Sequence, residues 1–390
     1  MDPVSPLPAL FCLMVAMFTA FLLVKKFGAP PDMGRYNTID GLRGYLAFFV
    51  FLHHSSIWYF FMRTGQWSVP PSNLYTQLGQ GGVLVFFMIT GFLFFSKLMD
   101  GRNRTIDWGR LFVSRFLRLV PLYLFVVFLL LLVVAYLSGW ELREPLGKLI
   151  KGITIWLGFT IPGAASLNGI RITPLVVAGV TWSLPYEWLF YFSLPLLALF
   201  VGVVPPFRYL ALGIICIAGM FMWGMRVNPV LLFSFAGGIA TAFLVRREVF
   251  RKYATHSFAS LVAIGCVTLS VWQFPSAYGF IPILLLTCAF AIIVCGNTLF
   301  GILVSPVSRT LGEMAYSIYL LHGLTLFITF VFVLGYNESK LMSPVTHWLT
   351  IAAITPVLVT ISYSTFRFIE NPAMHSATRL TAWLRARLGK

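Results

Sequence analysis

A succession of long apolar runs, cut apart by short polar and basic segments, constrains this chain more than any other feature of its sequence. The runs lie near Leu7–Val24, Gly44–Phe61, Gly82–Leu98, Phe116–Leu137, Leu184–Val204, Tyr209–Trp223, Val230–Val245, Phe258–Trp272, Phe280–Cys295, Met314–Leu334 and Thr346–Phe366. A helix of about 17–25 apolar residues is long enough to cross a bilayer. With 59% hydrophobic and only 10% charged residues, the chain has too little polar surface to cover a soluble globule. The runs are too continuous for the roughly 10-residue alternation of barrel strands, and lipid forces backbone polar groups to pair within a helix. The expected fold class is therefore all-α: a polytopic integral membrane helical bundle of about 11 transmembrane helices. Leu149–Pro162 is shorter and reads as a re-entrant or interfacial segment.

Charge gives the bundle an orientation, because cytoplasmic loops carry the excess of Lys and Arg. Counting through these spans, 21 of the 28 basic residues fall on one side, among them Lys25, Lys26, Arg35, Arg43, Arg104, Arg110, Arg246, Arg247, Arg385 and Lys390. Only Arg63, Arg143, Lys148, Lys151, Arg171, Arg226 and Lys340 fall on the other. The majority side is expected to be cytoplasmic, with the N-terminus outside and the C-terminus inside. The net charge of +16 then reflects topology and contact with anionic membrane lipids rather than nucleic-acid binding. Met1–Pro8 has no Lys or Arg, so Leu7–Val24 reads as a retained helix and not a cleaved signal. Cys12, Cys216, Cys266, Cys288 and Cys295 all lie in apolar runs without metal-ligand spacing; small core hydrophobes, no disulfide framework and no metal are expected.

Ionisable residues inside apolar runs are costly and point to function. His53 and His54 lie about 15 Å along their helix from Arg43, His322 lies a similar distance into a late helix, and Glu187 sits just inside a helix end. Adjacent histidines point about 100° apart, so at least one is expected to face the interior. Histidine can act as a general base near neutral pH. Arg115 and Arg118, at i and i+3, suit phosphate groups, although on spacing alone positive-inside anchoring explains them too. His322 is equally readable as a hydrogen-bonded core residue. The Trp residues of the long stretch from Ser138 to Ser183, Trp140, Trp156 and Trp182, suit either sugar faces or the membrane interface.

Asp40–His54, DGLRGYLAFFVFLHH, resembles the membrane acyltransferases of family 3, which include bacterial sugar O-acetyltransferases; Arg43 and His54 match that family's R/K-x10-H spacing. Gly82–Leu93 (GVLVFFMITGFL, with Thr90 where Ser is commoner), Arg115–Tyr123 (RFLRLVPLY), Thr181–Tyr191 (TWSLPYEWLFY), Ala315–His322 (AYSIYLLH) and Arg367–Pro372 (RFIENP) follow in the family's order. The resemblance implies a family-like core of ten helices, an extra N-terminal helix with its linker at 1–34, a membrane acyltransferase domain at 35–375 and a basic tail at 376–390. It further implies transfer of an acyl group, most often acetyl, from cytoplasmic acetyl-CoA or another acyl-CoA to a hydroxyl of an extracytoplasmic glycan or glycolipid, in a bacterial inner membrane. On this reading His54, Glu187 and His322 are catalytic, with His54 as base or nucleophile. Arg43, Arg115 and Arg118 bind the donor, and Trp182, Tyr186 and His53 bind the acceptor. The rival class is a transporter or flippase for a lipid-linked sugar or small solute, in which buried His and Glu are equally at home; against it stands the lack of an inverted repeat.

Overall fold

The computed structural model describes residues 2–31, 36–103 and 105–387. Arg35, Arg104, Lys390 and the boundary at 34/35 lie outside the described residues. Every apolar run is a helix. The first five are α1 (Pro6–Phe27), α2 (Asn37–Thr64), α3 (Asn73–Asp100), α4 (Trp108–Leu137) and α5 (Leu146–Leu157). There follow Leu184–Phe200, Phe207–Met222, Pro229–Leu244, Ser257–Gln273, Phe280–Val294, Ala315–Phe327 and Pro344–Thr365, with shorter helices between them. Apart from an isolated bridge between Leu167 and Ile170, the described residues hold no extended pairing, and the fold class is a polytopic helical membrane bundle.

Length divides these helices into two sets. Six are long and apolar enough to cross a membrane: α1 to α4, Ala315–Val333 and the run beginning at Pro344. Five others hold only 15 to 17 residues, or about 22–26 Å at the helical rise, which is less than the roughly 30 Å of hydrocarbon in a typical bilayer. After Pro229–Leu244 the chain bends by 105° into Glu248–Ala254. α5 has 12 residues, too few to span, as its sequence indicates.

The chain forms two compact units. The first comprises Met1–Leu93 and Asn228–Ser362, the second Phe94–Val227 and Tyr363–Lys390. In the first, α2 packs against Pro306–Glu313 and Ala315–Phe327. Its approach to the former, and to the Ile302–Val304 turn before it, leaves no room for a side chain. A Cβ on Gly41 would stand 1.9 Å from the Leu303 carbonyl oxygen, and one on Gly312 1.7 Å from that of Asp40. The DGLRG glycines are thus packing residues, as small residues are wherever membrane helices approach closely. α1 lies against the same short helix, and its Cys12, Ala16 and Ala20 are fully buried. Its N-terminal end is fastened by Tyr75 Oη, which donates to the Ser5 carbonyl (2.8 Å), and by Trp348 Nε1, which donates to that of Pro3 (2.9 Å). The additional helix is therefore an integrated part of its unit.

In the second unit, the Asp107 carboxylate caps α4 by accepting from Arg110 N (2.9 Å), and the terminal helix Ala377–Arg387 packs on α4. Trp156 corrects one expectation. It is fully buried, with Nε1 donating to the Ala165 carbonyl at 2.8 Å, so it anchors α5 and presents no face to a sugar. The cysteines are all free, and only Cys12 and Cys295 are buried. Cys288 faces outward, so apolar character alone does not place a cysteine in the core of a protein whose exterior is also apolar.

Candidate active site

In the first unit, two of the family-like segments meet at a pair of histidines. His53 and His54 diverge around α2. His53 turns to α3, where its Nδ1–H donates to the Tyr75 carbonyl (2.8 Å) and its ring presses on Gly79 so closely that a Cβ there would lie 2.3 Å from the imidazole. It is buried. Its Nδ1 is held by backbone, and the ring helps to set the distance between α2 and α3.

His54 turns instead to the Ala315–Phe327 helix. Its Nδ1 is 3.0 Å from the Val50 carbonyl oxygen and 3.0 Å from Nε2 of His322, while Nδ1 of His322 is 3.0 Å from the Ile318 carbonyl oxygen. These contacts assign the tautomers. A carbonyl only accepts, so Nδ1 of His322 carries a proton, and Nε2 of the neutral ring is then an acceptor. Nδ1 of His54 must be the donor, its proton shared between Val50 and His322. The lone pair of His54 is thereby left on Nε2. No hydrogen bond engages that atom among the described residues, and His54 is only half-buried, whereas His322 is fully buried. The indole of Trp67 lies near-parallel to the His54 ring (6.1 Å between centroids, 18°) and is itself set edge-on to Trp58. Nothing in the sequence marks Trp67, which comes from the loop after α2. Arg43 forms an ion pair with Asp40, one turn earlier in α2.

The second unit gathers three further segments. Glu187, in the first turn of Leu184–Phe200, accepts at Oε2 from Tyr191 Oη (2.7 Å). The Arg115 guanidinium lies over the Phe94 ring at 5.1 Å, and the charges of Arg115 and Arg118 both act on Glu187. Arg118 Nη1 is 3.2 Å from Oε2 of Glu370, whose side chain is fully buried. A π-helical turn, Phe366–Glu370, carries that carboxylate. RFLRLVPLY, TWSLPYEWLFY and RFIENP, separate in sequence, thus contribute opposite charges to one cluster. Glu370 and Tyr191 are the members that spacing arguments miss, although Tyr191 stands at i+4 from Glu187, where helical neighbours meet. Lys97 and Arg110 add their charges to that of Arg115.

At one end of this unit Trp182 and Tyr186 line a cavity of about 270 Å³ together with Thr160, Thr181 and Arg226. Among the described residues no group of three His, Cys, Asp or Glu side chains is placed to hold a metal ion.

The sequence of residues 36–367 matches the family model described as "Acyltransferase domain", a span that takes in the histidine pair and, of the second cluster, all but Glu370. The chain belongs to this acyltransferase family. A relative, Acyltransferase MdmB of Streptomyces mycarofaciens, is 29% identical over 324 residues, which cover 75% of this chain and 79% of the relative. No solved structure matches. The acyltransferase is thus an enzyme and an integral membrane protein, and membership decides between the two classes, enzyme and transporter, that buried charge alone leaves open.

Proposed function

We propose that this acyltransferase takes an acyl group, most often acetyl, from cytoplasmic acyl-CoA and transfers it to a hydroxyl of an extracytoplasmic sugar, as part of a glycan or glycolipid. It does so in a bacterial inner membrane, with its N-terminus outside and C-terminus inside. The observation that carries the chemistry is the unengaged Nε2 of His54, held in one tautomer by His322. Nε2 takes the proton of the acceptor hydroxyl as its oxygen attacks the thioester carbonyl. The carbon–sulfur bond then breaks, and the departing thiolate recovers the proton from the imidazolium. His322, whose Nε2 accepts in the neutral ring, acts as a positioning residue rather than as an oxyanion donor.

Arg115, with Lys97 and Arg110 beside it, supplies the cationic surface that a nucleotide-bearing thioester needs. Arg118 is committed to Glu370 and Arg43 to Asp40, which leaves Arg115 as the main donor contact of the three. Glu187 keeps Oε2 on Tyr191 and offers Oε1 to an acceptor hydroxyl. The positive-inside charge division supports the orientation. The test uses purified protein with radiolabelled acetyl-CoA and a mixture of cell-envelope glycans. Label on the glycan in the native enzyme, absent in His54→Ala that still binds acyl-CoA, is the expected result. Equal transfer by His54→Ala overturns the assignment of the base.

A further inference from the structure

The cavity at the end of the second unit is built from three chain segments: the turns after α5, the approach to Leu184–Phe200, and the residues following Phe207–Met222. Thr160 Oγ1 donates to Thr181 Oγ1 (3.1 Å) and Tyr186 Oη donates to the Arg226 carbonyl (3.4 Å), so each wall is tied to another. Trp182 and Tyr186 stand edge to face, 6.0 Å apart at 81°, presenting an aromatic face in a polar frame. The volume of about 270 Å³ lies just under the roughly 300 Å³ at which small-ligand pockets begin, which suits one sugar ring. Arg226 contributes the charge. It is exposed, the lining contains no Asp or Glu, and no carboxylate pairs with its guanidinium among the described residues. As an exposed cation among the lining residues, Arg226 offers the guanidinium fork that matches the paired oxygens of a carboxylate or phosphate.

We infer that this cavity is the acceptor subsite and that it selects a sugar ring bearing an anionic group, a carboxylate or a phosphate, which Arg226 holds while Trp182 and Tyr186 cover the ring. This rests on the acyl-acceptor reading above, and the test is a binding measurement made without acyl donor so that the two can fail separately. Protein in neutral detergent is titrated calorimetrically with glucuronate, glucose 1-phosphate, glucose and inorganic phosphate. Glucuronate and glucose 1-phosphate are expected to bind at least about tenfold more tightly than glucose or free phosphate, and Arg226→Gln should bring both down to the level of glucose. The two anionic arms distinguish a uronic acid from a sugar phosphate. Equal binding of charged and neutral sugars, or an unchanged preference in Arg226→Gln, overturns the inference. So does displacement of both anionic sugars by phosphatidylglycerol added to the micelles, which would assign Arg226 to the bilayer surface. Native protein that binds charged and neutral sugars equally, yet labels glycans in the acyl-transfer assay above, removes this subsite alone. Binding without any acyl transfer removes the proposed reaction instead.

Discussion

Nε2 of His322 and Nδ1 of His54 are 3.0 Å apart, and because each Nδ1 also faces a carbonyl oxygen of its own helix, only one arrangement of protons satisfies both rings. His322→Ala is expected to lower kcat by about 10²–10⁴-fold, the range associated with a positioned acid–base group, with little change in the KM for acyl-CoA. His322→Gln, whose side-chain oxygen can accept from His54, should recover part of that loss. Steady-state kinetics on the purified variants checks both, and a pure KM effect would mean that His322 does not set the tautomer.

Gly79 holds its place because of His53. A methyl group at Gly79 would overlap the imidazole, so Gly79→Ala should destabilise the protein by about 1–3 kcal/mol, as overpacking does. His53→Ala creates the missing space, and the double variant should be more stable than the two single effects summed. Thermal unfolding in detergent measures the cycle; strict additivity would show that the ring and the glycine are not in conflict.

Arg118 and Arg115 are expected to part company on mutation. Arg118→Ala removes one cation from the buried Glu370 carboxylate and should destabilise the protein, and replacing both partners by Met should restore part of the stability. Arg115→Ala, by contrast, should mainly raise the KM for acyl-CoA. Parallel unfolding and kinetic measurements separate the roles, and unchanged donor KM in Arg115→Ala would reduce that residue to a structural cation.

Asp107 links the tail to α4. Burial pushes its carboxyl up, but the Arg110 amide and the Arg385 guanidinium together outweigh that and hold it below the ordinary carboxylate range. A group whose folded pKa is depressed stabilises the fold above its unfolded value, and that contribution is lost as pH falls through the folded one. The tail should therefore stay docked from pH 5 to 8 and loosen below about pH 4. At neutral pH, Asp107→Asn should increase tryptic cleavage at Arg379 and Arg385. High salt should do the same in the native protein, since the pair is exposed; cleavage indifferent to both would mean that other contacts hold the tail.

Much of this protein is legible along the chain. Apolar length finds every main helix, because in lipid the backbone must satisfy itself locally, but α2, α3 and α4 begin seven to nine residues before their apolar runs. The order of the family-like segments identifies the acyltransferase, and the cost of buried charge singles out His53, His54, His322, Glu187, Arg115 and Arg118. The same reasoning cannot rank them. It treats the adjacent His53 and His54 alike, although one is clamped by Tyr75 and Gly79 and the other keeps a free nitrogen. It reads Trp156 and Trp182 alike, although one is a buried strut and the other lines a cavity.

Sequence by itself determined the solvent, the fold class and which side chains are too costly to be there without purpose, since these follow from length, hydropathy and the charge carried by each residue. Only the tertiary structure decided what each such side chain is bonded to. The proton on Nδ1 of His54 and the commitment of Arg118 to Glu370 from more than 250 residues away depend on distances of about 3 Å between groups. No spacing along one helix encodes distances between residues brought together from different ones.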